Sequence, residues 1–382
     1  MSRRQTAAIA ILAVAAVILA GFILHRPFER GVEAALVLGD LGAGGEPSLF
    51  KSLTPAPART AISYQGGNRV HSGDLYKPGE KPLAILVLVP GALATGKDDP
   101  RLIAFAETLA RARFEIFVPD IPGVRALELR ASDATDVADA VSFASRSEEA
   151  SGLPLGIAAL SYAAGPAILA ALDPAIGGKV AFILAVGGYY DADAVLTFFT
   201  TGFYQDPPGG PWRRRAPNAY GKWLFVAGNV GLVGDRRDSD VLARIAARKL
   251  DNLSADTSGL AAQLGPEGRA TYEFVTNVDP GRAASLIAAL PPAVRAEIDA
   301  LDLKRHDLSQ LHPELFLVHG RDDAIIPESE SMALAAAAPA DRAKLYLVER
   351  LSHVDLGPVG IGDAATLWRA LYGLLKERAE GG

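Results

Sequence analysis

The sequence predicts an α/β protein: a mostly parallel sheet with helices on both faces, a helical cap inserted late in the fold, and one transmembrane helix in front. Three observations carry that expectation. Short apolar runs bounded by Pro or Gly recur between helix-length segments from residue 83 onward, the pattern of strands buried on both faces. Strand signals stop between about residues 190 and 312 and then resume. An unbroken apolar run, AAIAILAVAAVILAGFIL, fills residues 7–24.

Residues 1–27 read as the N-terminal transmembrane anchor, because the apolar run at 1.5 Å rise per residue spans about 27 Å, close to the hydrocarbon thickness of a bilayer. A cleaved signal peptide is the rival reading, although its apolar region is normally shorter. Arg3 and Arg4 balance Arg26 and Arg30, so the positive-inside rule is nearly silent. The very short N-terminal tail favours an inside N-terminus with the remainder exported. Residues 28–59, with LGAGGEPS and TPAPAR, read as a linker or stalk holding at most a short helix at 32–38.

The first half of the core spans 60–189. It opens with two strands, 60–64 and 69–76, about the turn residues Gly66-Gly67-Asn68. Strands at 83–89, 114–118, 155–160 and 180–186 then alternate with helices at 101–112, 133–146 and 163–172, which specifies a parallel sheet. Residues 190–312 read as the cap, helical or loop-like, with aromatics at Phe198, Phe199, Phe203, Tyr204, Trp212, Tyr220 and Trp223. Residues 313–382 complete the core with strands at 315–318 and 344–348 and a closing helix at 364–376.

Composition narrows the chemistry. The 382 residues are 49% hydrophobic and 21% charged, enough apolar content for a full core. A net charge of −6 without a long basic block argues against a nucleic-acid partner. With no cysteine, thiol nucleophiles, thiolate metal sites and disulfides are excluded. None of the six histidines forms the helical i, i+4 pair with a glutamate that a zinc hydrolase uses, so no metal is expected.

Ser161, in LPLGIAALSYAAGPAILAAL, stands between an apolar strand and a small-residue helix. Such a turn lifts the hydroxyl above the sheet edge at a helix N-terminus, where backbone N–H groups stabilise negative charge. Read alone, Ser161 is equally a helix cap. Asp322 and Asp323 follow a buried strand in ELFLVHGRDDAIIP, and His353 follows the last strand in LYLVERLSHVDLG, which brings both to the same edge as Ser161.

With Ser, Asp and His in that order, the sequence resembles the α/β-hydrolase family from about residue 60 to the C-terminus, the insertion serving as a variable cap. The resemblance makes Ser161 the nucleophile, His353 the general base and then acid, and Asp323 the carboxylate that orients the imidazole. It assigns the oxyanion hole to the backbone N–H groups of Tyr162 and of Ala92 in Pro90-Gly91-Ala92. Ala159 and Ala163 stand where the family's elbow usually has glycine. Asp191 is the rival acid, Asp322 is expected to point elsewhere, and His319 to be a packed neighbour. The Trp212-Arg213-Arg214-Arg215 run reads as a solvated loop that could also meet anions.

The implied activity is serine-dependent hydrolysis of carboxylic esters through an acyl-enzyme, on a small-molecule or lipid-like substrate and without cofactor. Peptidases, thioesterases and acyltransferases use the same triad, and a non-catalytic membrane-tethered scaffold is the alternative from another class.

Overall fold

The computed structural model describes residues 25–147, 151–207, 209–352, 355–356 and 360–380. The apolar run at 7–24 lies outside these. Among the described residues, no helix is long and apolar enough to cross a membrane.

The hairpin signal at Gly66-Gly67-Asn68 resolves into strands β1 (Ala58–Gly66) and β2 (Arg69–Lys77), paired antiparallel across a two-residue loop. The apolar runs that follow become β3 (Ala84–Val89), β4 (Phe114–Pro119), β5 (Leu155–Leu160) and β6 (Phe182–Val186); every residue of β3 and β4 is buried. A small separate hairpin, β7 (Phe203–Gln205) and β8 (Trp212–Arg214), lies in the cap. Strands β9 (Glu314–Gly320) and β10 (Ala343–Val348) return to the main sheet. Its order is β1-β2-β4-β3-β5-β6-β9-β10, and β2 alone runs against the others.

Helices cover both faces, as the alternation requires. Helices Asp133–Ala144, Ala164–Leu172 and Glu328–Ala337 bury one side through Val137, Val141, Ile168 and Leu334. Helices Pro100–Arg111 and Ile361–Glu380 bury the other through Leu102, Leu109, Leu371 and Leu374. Because β3, β5, β9 and β10 are parallel, their C-terminal ends share one edge, and the loops carrying Ala92, Ser161 and Asp323 leave from it.

The segment expected to be a linker is folded instead. Residues 25–43 form a helix whose Ala34 and Val37 are fully buried in the second core face. The sequence looked like a stalk because of its glycines, yet one of them has a packing reason. A Cβ on Gly31 would lie 3.2 Å from the Trp368 ring, and the Gly31 carbonyl accepts the Trp368 indole N–H at 2.8 Å. Two further contacts pin the helix. Glu33 pairs with the buried Arg378 through two bonds of 2.7 Å, and buried Asp40 accepts from Thr108 at 2.7 Å and pairs with Lys51.

These contacts predict where a truncation can fall. Deleting residues 1–24 should leave the melting temperature of the rest unchanged. Deleting 1–49 strips a buried apolar face and leaves Arg378 uncompensated, so melting should fall by about 10 °C or more. Thermal unfolding of the two truncated chains measures the difference.

Between β6 and β9 the chain forms the helices Ala192–Thr201, Ala219–Asn229, Arg236–Asp251, Pro266–Thr276, Pro280–Ala288 and Pro292–Leu301. They carry apolar clusters of their own, one around Trp223, Leu242 and Ile245, another around Leu196, Leu286 and Ile287. The expectation of a strandless insertion missed only β7 and β8, three residues each and too short to show an alternation.

Candidate active site

Strand β5 ends at Leu160, and Ser161 takes φ +56°, the left-handed region, before the tight turn Ser161–Ala163 opens helix Ala164–Leu172. For a residue with a Cβ that conformation costs about 1–2 kcal/mol, so the packing around it must impose it. Ala159, Ala163 and Ala164 are fully buried. The closest approach falls at Gly165, where a Cβ would sit 2.0 Å from the Tyr189 hydroxyl. Alanine is therefore accommodated at 159 and 163. The capping alternative for Ser161 is not what the fold uses, since the N-cap positions are Leu160 and Ala163 and neither has a side-chain cap bond.

Loop Pro90-Gly91-Ala92 runs against this turn: a Cβ on Gly91 would lie 3.7 Å from the Ser161 Cβ. Ala92, Ser161 and Tyr162 line one cavity of about 960 Å³. The Tyr162 hydroxyl donates to Asp133 at 3.0 Å. Burial pushes the Asp133 carboxyl up to about 7 and the Tyr162 phenol well above its ordinary value.

Asp323 is fully buried beyond β9. Its Oδ1 accepts from the N–H groups of Ile325 at 2.7 Å and Ile326 at 3.0 Å. Its Oδ2 lies 3.5 Å from Nε2 of His319. His319 is the packed neighbour expected: buried, Nε2 donating to the Ile326 carbonyl at 2.9 Å, and Nδ1 bonded to the Ser331 hydroxyl at 2.7 Å. Asp322 points elsewhere and accepts from the Leu351 N–H at 3.1 Å. Asp363, not singled out in the sequence, accepts from Glu349 and Arg350 N–H at 2.9 and 3.2 Å. Both carboxylates hold the segment that leads to His353, which itself lies outside the described residues. Asp191 caps helix Ala192–Thr201 through the Ala194 N–H at 3.1 Å and pairs with Lys304 at 2.7 Å.

The cap meets the acid loop through Arg215, which the solvated-loop reading did not foresee. Trp212, Arg213 and Arg214 are exposed, but Arg215 donates to the Asp323 carbonyl at 2.8 Å, to Glu328 at 2.8 Å and to the Tyr204 hydroxyl at 2.9 Å. Glu328 is buried, so Arg215→Met should cost about 2 kcal/mol by leaving its charge unpaired. The double variant with Glu328→Gln should recover part of that loss in urea denaturation.

Of the cap aromatics, Phe199, Tyr220 and Phe225 line the cavity together with Leu196 and Ile298. Phe198 and Trp223 are packed inside the cap instead. Away from this site, His71, Asp136 and Asp139 bring possible metal-ligand atoms within 4.8 Å of one another. His71 stands 3.2 Å from Asp139, and Arg69 bonds Asp136.

No family model matches the chain. Over 84 residues it is 31% identical to 2-hydroxymuconate semialdehyde hydrolase of Pseudomonas putida; the match covers 22% of this chain and 29% of that protein's length. A solved structure of a Legionella pneumophila protein named as a hydrolase superposes over 84% of this chain and 89% of its own, with a TM-score of 0.53 at 13% identity. Dienelactone hydrolase from Anabaena variabilis covers 83% of this chain and 96% of its own, with a TM-score of 0.43 at 15% identity. The sheet order, the strand-turn-helix at Ser161 and the Legionella superposition agree: this chain has the α/β-hydrolase fold.

Proposed function

We propose that the chain is a serine-dependent acyl hydrolase of carboxylic esters, tethered to a membrane through residues 7–24 with its folded part exported. What carries the reading is Ser161, held in the left-handed region at the end of β5 on the wall of a large apolar cavity. Strain of that kind at a residue with no capping duty is a feature of functional sites. The Pseudomonas putida relative, over its matched residues, is also named a hydrolase.

In this mechanism Ser161 Oγ attacks the ester carbonyl carbon while His353 takes the hydroxyl proton. The resulting oxyanion sits on the N–H groups of Ala92 and Tyr162. Collapse breaks the bond to the alcohol, which leaves with the proton from His353. Water, deprotonated by His353, then attacks the acyl-serine, releases the carboxylic acid and returns the proton to Oγ. Asp323 orients the imidazole and stabilises its charged form. A fluorophosphonate probe on the full chain tests the reading. Stoichiometric labelling at Ser161 supports it, whereas a folded protein that stays unlabelled supports the scaffold alternative. Matched ester, thioester and amide substrates separate the hydrolase classes.

A further inference from the structure

The cavity does not end beneath the cap. Its lining also takes in Val186, the last residue of β6, Val318 within β9, and an arm formed by side chains of three helices. Leu38 and Leu41 of helix 25–43 form one wall, Leu102 and Phe105 of helix Pro100–Arg111 a second, and Leu371 and Leu374 of helix Ile361–Glu380 a third. We propose that this arm holds the acyl chain of a long-chain, lipid-type ester, a substrate class that rests on the serine acyl hydrolase reading above.

Three observations point to an alkyl chain. Along the last helix the lining runs from Leu367 to Leu374, about 10 Å of helix, which matches roughly eight methylenes of an extended chain. Polar side chains on the second wall are already satisfied: Thr108 bonds Asp40 and the Ala104 carbonyl, and Asp99 accepts from Arg101. A peptide or sugar placed there would lose its hydrogen bonds to water without replacement, whereas a methylene chain loses none. The arm also reaches the surface at residues 42–45, where Gly42 and Gly45 are exposed. The helix that builds this exit occupies residues 25–43, and in the sequence residue 25 follows directly on the apolar run at 7–24 proposed as the tether.

The experiment compares p-nitrophenyl esters of rising acyl length with acetate esters of rising alcohol length, in the full chain and in Leu41→Trp and Ala104→Trp. For the unaltered chain, kcat/KM should rise about fourfold per added methylene along the acyl series until the arm is full. Either tryptophan should cut the ratio of twelve-carbon to four-carbon acyl ester by about 100-fold, with Ser161 labelling confirming a folded site. An unchanged ratio in both variants overturns the proposal, and so does a loss confined to the alcohol series. Displacement of dansyl-undecanoic acid by palmitate reads the same arm without turnover. If no ester is hydrolysed, the acyl hydrolase reading fails by itself, and equal palmitate binding in all three proteins would then reject the arm as well.

Discussion

Ser161→Ala is expected to lower ester turnover by about 10⁴- to 10⁶-fold while the protein stays folded, because one hydroxyl is lost and it caps no helix. The backbone at this position gives the prediction a second arm. A left-handed φ of +56° disfavours any residue with a Cβ, and alanine carries the same penalty as serine. Glycine does not, so Ser161→Gly should be as inactive as Ser161→Ala yet more stable by about 1 kcal/mol. A stability gain together with a loss of activity is what a residue strained for chemistry shows. A serine without a catalytic role would show the stability gain of Ser161→Gly but no loss of activity. Steady-state rates on a short ester and urea midpoints for the two variants decide it, and near-wild-type turnover in Ser161→Ala would sink the serine mechanism.

The parts of this fold that could be read in the sequence are those whose environment is local. A strand buried on both faces is apolar at every position, so β3, β5 and β6 announce themselves, and the turn after β5 follows from where the run stops. Helix 25–43 could not be read as firmly. One of its glycines, Gly31, answers to Trp368, more than 300 residues away, although Ala34, Val37, Leu38 and Leu41 do carry the helical spacing. Asp363 and Arg215 escaped for the same reason: the Glu349 and Arg350 N–H groups, and the Asp323 carbonyl, Glu328 and Tyr204, are set beside them only by the tertiary fold. Phe198 and Phe199 are neighbours on one helix, and only the packing of the cap decides that Phe199 lines the cavity.

For the acid, Asp323→Asn should cost about 10⁴ in kcat with little change in fold. The hydrogen bonds around it explain why an isostere should fail so badly. Oδ1 accepts from two backbone N–H groups, Ile325 and Ile326, and an amide can meet both only with its oxygen in that position. The NH₂ group is then forced into the place of Oδ2, where it donates and cannot accept an imidazole N–H. The base would be held in the wrong tautomer and its charged form left without a counter-charge. Asp191→Asn provides the contrast. Asparagine caps a helix about as well as aspartate, so the bond from the Ala194 N–H survives and only a partly exposed pair with Lys304 is lost. That change should leave kcat within about twofold and cost about 0.5 kcal/mol or less. Steady-state kinetics on both variants place the acid: a large kinetic loss at Asp191 with an active Asp323→Asn would move it to the end of β6, and the triad would have to be redrawn.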